Sequence, residues 1–431
     1  MACALLACHV PCRAADTPEP QFVSFSRAVD LALEHSGVIG IAALSQLRSQ
    51  KVYQELRNNY LPQMTIGSGL GYAYGFPLTL EGTAPSLANF TSTQALFNPA
   101  LKQFIRAAKI DWGANSQDVE DKRNAVILDT ALTYAQLEQL SSKTRALTEA
   151  QEAAEKAQFV SEQRLQQGVD SKLEVTKSQL TAARIRLRLA EAQGQMDVLR
   201  EHLSKLIGLP ASSIAVEPGS MPQLPEISQE DDLAARAVAN SPLVKQADQK
   251  AAAAEARAKG EHKAATWPTV DVATQYAYLA QYNNWDVYFR TGTFLANNFT
   301  GGLNIRIPVY NPVQKAKAAQ ADADAMMARK QAALTRDQVG ENSLKLQRSL
   351  RQLAAARDVA KLEWEVAQGE LDVVTGRMET GAANTREQAN ARMNVDDKHA
   401  AFIDAEFEFS RAELQLLRLT GELENWAIPQ H

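Results

Sequence analysis

A chain of 431 residues would ordinarily fold as two or three globules. Here aromatic residues make up only 6%, and the long stretches are built from Ala, Gln, Glu, Lys, Arg and Leu, the composition of extended helices. A formal net charge of −5, without a basic stripe interleaved with aromatics, argues against a nucleic-acid partner. The sequence lacks any run of about 20 apolar residues, which excludes a transmembrane helix but not transmembrane strands, whose signal is weaker per segment.

All three cysteines, Cys3, Cys8 and Cys12, fall at the start of the chain, so disulfides, thiol nucleophiles and thiolate metal sites are excluded from its body. Met1 to Val10 resembles the apolar part of a secretory signal, and Ala14-Ala15 supplies small residues for cleavage, so residues 1–15 are read as a signal peptide that lacks a basic start. Leu5-Leu6-Ala7-Cys8 also resembles a lipobox, which makes Cys8 a candidate for lipidation.

The first structural repeat is assigned to residues 16–209. Ala28, Leu31, Ala32, Ile39, Ala43, Leu47 and Leu56 predict a helix from Phe25 to about Tyr60, stopped by Pro62. The period then changes to two. Met64, Ile66, Leu70, Tyr72, Tyr74 and Phe76 alternate with small or polar residues and predict a strand over 63–76; a second is predicted over 89–97. Gly67, Gly69 and Gly71 lie within a strand pattern and lack nucleotide-loop spacing, so close strand packing explains them. Asn98-Pro99 opens a proline-free stretch to Pro210, read as hairpin helices 98–209 reversing at Gly168. The longer arm, of about 65 residues, rises roughly 100 Å at about 1.5 Å per residue. The returning arm shows a heptad seam at Leu173, Thr176, Leu180, Ala183, Leu187, Ala190 and Gly194, the spacing of coiled-coil packing.

Pro210, Pro218, Gly219, Pro222 and Pro225 mark an irregular linker over 210–230. A second repeat, 231–426, then follows the order of the first. A helix over Asp231–Lys263 leads to Trp267-Pro268, the counterpart of Leu61-Pro62. Strands are predicted over about 269–282 and 298–309, and hairpin helices over 311–424 with a tip at Gly381. The second returning arm has its own seam: Met393, Asp396, Ala400, Ile403, Phe407, Ser410, Leu414 and Leu417. Arg164, Gly168 and Glu174 recur as Arg377, Gly381 and Glu387, all 213 residues later, as does Phe97-Asn98-Pro99 in Tyr310-Asn311-Pro312.

The predicted fold class is therefore mainly α with a small β part: duplicated long helical hairpins plus four amphipathic strands. Four strands cannot close a barrel, and an open edge cannot face lipid. Two chains would pool eight strands and three would pool twelve; the arithmetic does not choose. The six histidines show no ligand spacing, and no nucleophile set or phosphate loop appears, so neither an enzyme nor a metal or cofactor site is expected.

From about Phe25 to Trp426 the chain resembles the TolC-like outer-membrane efflux family of Gram-negative bacteria. The resemblance rests on the duplication, on Leu61-Pro62 and Trp267-Pro268 before the strands, and on Phe97-Asn98-Pro99 and Tyr310-Asn311-Pro312 after them. The two glycine tips and the Leu206-Ile207-Gly208-Leu209-Pro210 ending complete it. It implies a homotrimer with a 12-stranded β-barrel in outer-membrane lipid and an α-barrel in the periplasm. It further implies a passive exit duct that docks with a periplasmic adaptor and an inner-membrane pump of RND or ABC type. A periplasmic coiled-coil adaptor or scaffold without a pore is the alternative, and it would carry one hairpin and no duplicated strands.

The same resemblance assigns the tips. Gly168, Ser171, Gly381, Asn384 and Thr385 stand where the family meets its adaptor. Glu387, with Glu174 as its equivalent in the first repeat, stands where the family narrows its entrance with carboxylates, and three copies would form a negative ring favouring cations. The other reading of Glu387 is a solvated acid in a first helical turn. Two departures stand out: Asn390 replaces a second acid, and Met378 and Ala383 stand where the family often carries a Tyr and an Arg that tie the closed state.

Overall fold

The computed structural model describes residues 21–69, 85–225, 232–280, 295–380, 382–383 and 385–428. The signal assigned to 1–15 with Cys8, the tip residues Gly381 and Asn384, Asp231, and the outer parts of the first and third predicted strands lie outside these residues. The chain divides into two compact units, Val38–Lys122 with Val238–Gly340, and Met1–Gly37 with Arg123–Ala237 and Glu341–His431.

The first of these units holds a sheet. Its strands are β2 (Gln63–Gly69), β3 (Ser86–Phe97), β5 (Thr269–Leu279) and β6 (Asn297–Arg306), all antiparallel in the order β2-β3-β5-β6. Strict alternation sorts the side chains into two faces. The register sets Ile66 opposite Phe90, Phe90 opposite Tyr276 and Tyr276 opposite Phe299, with Leu303 opposite Val272 on the same apolar face. The other face carries Thr65, Thr91, Gln275, Thr300 and Asn304. Among the described residues nothing covers the apolar face: Ile66 is 82% exposed and Phe299 71%. The outer edges of β2 and β6 have no partner strand among the described residues. Strand β6 stops at Arg306 rather than running to 309, because Pro308 has no amide to give a ladder.

Four helices continue from this sheet: α2 (Gly37–Asn58), the start of α3 (Pro99–Gln166), α6 (Pro242–Thr266) and the start of α7 (Pro312–Glu379). The Asn-Pro pairs found in both repeats are helix starts. Asn98 Oδ1 accepts from the Leu101 amide at 2.9 Å and Asn311 Oδ1 from the Gln314 amide at 3.0 Å, with proline in the first helical position, where no amide is needed. Contacts run from α2 to α3 (Tyr53 stacked on Trp112), from α3 to α6 (Phe104 against Gly260) and from α6 to α7 (Ala258 with Ala321 and Ala325). A Cβ at Gly260 would come within 2.5 Å of the Phe104 ring, so that crossing requires glycine.

The second unit is built on a short parallel pair, β1 (Gln21–Val23) with β4 (Ile214–Val216), and on α1 (Phe25–His35). Phe25, Tyr134 and Trp426 pack together with ring centroids 5.3 and 5.6 Å from Phe25. The buried Tyr134 hydroxyl donates to the Val23 carbonyl at 2.9 Å and accepts from the Glu217 amide at 3.0 Å, tying α3 to the C-terminal ends of both strands. Helices α4 (Lys172–Ile207), α5 (Leu233–Asn240), α8 (Thr385–Thr420) and α9 (Leu423–Ala427) complete it with the later parts of α3 and α7.

Each predicted leading helix is in fact two. The first breaks at Ser36, whose backbone is extended, and the second at Ser241, ahead of Pro242, where proline disfavours helix in the residue before it.

The heptad seam read on α4 is not the one the chain packs. Val175, Ser178, Ala182, Ile185, Leu189, Ala192, Met196, Leu199 and Leu203 are the buried or half-buried stripe, whereas Leu173, Leu180 and Leu187 are exposed. The two stripes are offset by two positions, about 200° around a helix. On α8 the same offset appears: Gln388, Ala391, Val395, Lys398, Phe402, Ala405, Phe409, Ala412 and Leu416 turn inward. There the other stripe is also covered at its far end, with Leu414 and Leu417 buried and Met393 exposed.

Candidate functional site: the two hairpin tips

Helix α3 ends at Gln166 and the chain reverses through Gly168 at φ +74°, a conformation that costs a residue with a Cβ about 1 kcal/mol. The Val169 amide donates back to the Arg164 carbonyl at 2.8 Å. Arg164 Nε lies 3.2 Å from Asp170 Oδ1, which braces the turn. Ser171 caps α4: its hydroxyl accepts from the Glu174 amide at 3.3 Å, the first half of a Ser-x-x-Glu capping box.

The second tip repeats this design with other residues. The Ala382 amide donates to the Arg377 carbonyl at 2.8 Å, and Arg377 Nη2 donates to the Ala382 carbonyl at 3.1 Å. Thr385 opens α8 and Glu387 falls in its first turn, as Glu174 does in α4.

Both first-turn carboxylates, Glu174 and Glu387, face cations. Glu174 Oε1 is 3.1 Å from Lys177 Nζ and 3.4 Å from Arg386 Nη1, while Glu387 Oε2 is 4.0 Å from Arg377 Nη2. Arg386 therefore links α8 to α4, across the two hairpins. Two further ion pairs join α8 to the first hairpin: Asp397 with Arg188 at 2.5 Å and Asp404 with Lys143 at 3.5 Å, the latter reinforced by Gln139 at 2.8 Å. Along α8 a cation at Arg386 is followed by anions at Asp397 and Asp404, matched on the first hairpin by Glu174, Arg188 and Lys143. Each exposed pair contributes about 0–1 kcal/mol and weakens with salt.

The repeated tip pattern points to Glu174 and Glu387 but not to Arg386, Arg188 or Asp397. The available signal was the 14-residue spacing of Glu174 and Arg188, two heptads on one side of α4. At the turn of the first hairpin Glu162 accepts from Gln158 and from Gln179, and these hydrogen bonds hold its carboxyl below the usual range. Among the described residues no three His, Cys, Asp or Glu side chains converge on a metal site.

Residues 28–209 match the family model described as outer membrane efflux protein. Over 292 residues the chain is 25% identical to protein CyaE of Bordetella pertussis, a match that spans 66% of this chain and 60% of CyaE. A membrane protein from Pseudomonas aeruginosa superposes with a TM-score of 0.77 at 16% identity, covering 92% of both chains. The Campylobacter jejuni CmeC outer membrane channel gives 0.77 at 14% identity, covering 93% of this chain and 86% of CmeC. At these identities the structural matches establish the fold: duplicated helical hairpins with a small sheet. Residues 28–209 thus carry the sequence pattern of outer membrane efflux proteins, and the chain as a whole shares the fold of the solved outer membrane channels.

Proposed function

We propose that the protein is a passive exit duct in the outer membrane, assembled as a homotrimer. On this reading it carries substrates outward from a periplasmic adaptor and an inner-membrane pump of RND or ABC type, which supplies the energy. The observation that carries this reading is the sheet. One face is apolar and uncovered, the other is polar, and both edges lack partner strands among the described residues. Such a sheet meets the demands of lipid only when copies join edge to edge into a closed barrel with its polar face inward. The exposed seam of Leu173, Leu180 and Leu187 on α4 supports the same reading, since it offers a helix of a neighbouring copy a second coiled-coil surface.

The tips at Gly168 and Ser171, and at Gly381, Asn384 and Thr385, then form the periplasmic mouth and the adaptor contact, with Glu387 and Glu174 lining it. In place of the family's Tyr and Arg, the mouth of this chain is held by Arg386–Glu174 and the two pairs above it. The test is extraction of the full-length protein from membranes with detergent, followed by its native mass and single-channel recording. The expected result is about three times the 47.1 kDa chain mass with discrete conductance steps. A protein soluble without detergent, purely helical by circular dichroism and silent in bilayers would instead be a scaffold or adaptor.

A further inference from the structure

Among the described residues of β2, β3, β5 and β6 there are two charged side chains, Asp271 and Arg306, and they bind each other: Arg306 Nη2 donates to Asp271 Oδ2 at 2.5 Å. The register puts both on the polar face. Asp271 stands opposite Asn304 and Arg306 opposite Thr269, in line with Gln275, Thr300 and Thr91. Both lie at the end of the sheet that joins α6 and α7, and Arg306 reaches diagonally across β5 to its partner. The carboxylate is largely covered, with 20% of its side chain exposed, while the guanidinium is 69% exposed.

A polar strand face with a single internally neutralised charge pair differs from one with scattered charges. With the guanidinium open to solvent the pair adds little stability, so fold strength gives it weak reason to be there. Its electrostatic effect is larger. Each copy contributes one positive and one negative charge at the same level, and in a closed barrel these cancel in a ring around the lumen. Either charge alone would give a ring of one sign, whose field attracts counter-ions and repels co-ions in a confined pore.

We infer that Asp271 and Arg306 together form a charge-neutral girdle at the base of the barrel, which keeps the exit open to anionic and cationic cargo alike. This rests on the duct reading. Selectivity is then left to the tips, and the pair is the determinant that prevents the exit from adding a second filter.

The experiment is reversal-potential measurement on the full-length protein in planar bilayers under a KCl gradient centred near 10 mM, where the Debye length of about 30 Å spans a wide lumen. Arg306→Gln is expected to raise the K+ to Cl− permeability ratio by about twofold or more, and Asp271→Asn to lower it by a similar factor. The double variant D271N/R306Q and the swapped variant D271R/R306D are expected to keep the wild-type ratio. A conducting wild type whose single variants show the same ratio would overturn the inference alone and leave the pair as a strand clamp. A changed ratio in the double variant would overturn it as well. Should a single variant fail to assemble, Thr300→Lys adds an unpaired ammonium to the same face without removing the pair. A shift toward anions then supports the girdle, and no shift overturns it. A wild-type protein that forms no pore overturns the duct reading together with this one.

Discussion

Glu413, on α8, lies half-buried beside the cluster of Leu233, Leu350, Ala412 and Leu416. Burial pushes its carboxyl up to about 7, against the pull of Arg357. That guanidinium is otherwise engaged, 3.2 Å from Asp358 and over the Phe409 ring. Because the folded pKa lies above the ordinary carboxylate value, the fold favours the neutral form. This stabilisation is complete below about pH 4.5 and is lost as pH rises toward 7. Glu413→Gln is therefore expected to leave thermal stability unchanged at pH 4 and to raise it at pH 8 by about 1 kcal/mol, read by thermal melts at both pH values. At the tips, Arg386→Ala removes the link between α8 and α4. With an exposed pair contributing about 0.5–1 kcal/mol, the ratio of open to closed dwell times in bilayers should rise about two- to fivefold, and high salt should reproduce the effect in the wild type. Equal dwell times in variant and wild type would mean that Arg386–Glu174 plays no part in closing the mouth.

The long returning helices were recognisable from the absence of proline and from their heptads. Which of two heptads the chain itself uses was not. A stripe of Leu, Ala and Thr at 3-4 spacing reads the same whether it meets a helix of its own chain or of another. The stripe through Leu173 and Leu187 is richer in leucine than the one through Val175 and Ala192, yet only the latter is covered within the chain. This difference yields a prediction. The double substitution Leu180→Asp with Leu187→Asp should leave the helix content of each chain intact by circular dichroism while reducing the oligomer to monomers by native mass. A substitution on the inner stripe, Ala182→Asp, should lower helix content too, because it places an uncompensated charge in a packed hairpin.

At the scale of the whole chain, the duplication is legible as matched landmarks 213 residues apart, and each landmark has a structural cause. Asn-Pro is a capped helix start, the tip glycine is a left-handed turn at Gly168, and Leu-Pro or Trp-Pro ends a helix before a strand. The sheet that both repeats build together has β3 and β5, one strand from each repeat, as its central pair. Its uncovered apolar face makes membrane recovery the expected behaviour of the whole molecule. Replacing Ile66, Phe299 and Leu303 together with Ser should move the protein from the outer-membrane fraction to the soluble or aggregated one, measured by fractionation. Unchanged recovery in the membrane would mean that this face does not meet lipid.

The amino-acid sequence by itself determined the repeated order of helix, strand and hairpin, the turns and the two strand faces. Proline, glycine and the period of apolar residues act locally, through backbone sterics and through which side of an element each side chain occupies. Only the tertiary structure decided what depends on residues far apart in the chain. That includes which heptad stripe is covered, that Arg386 faces Glu174 and Arg377 faces Glu387, that Asp271 meets Arg306, and that the leading helices break at Ser36 and Ser241. Pairing of exposed charges adds little energy and leaves no periodic trace, so such partners become visible only when packing brings them within hydrogen-bonding distance.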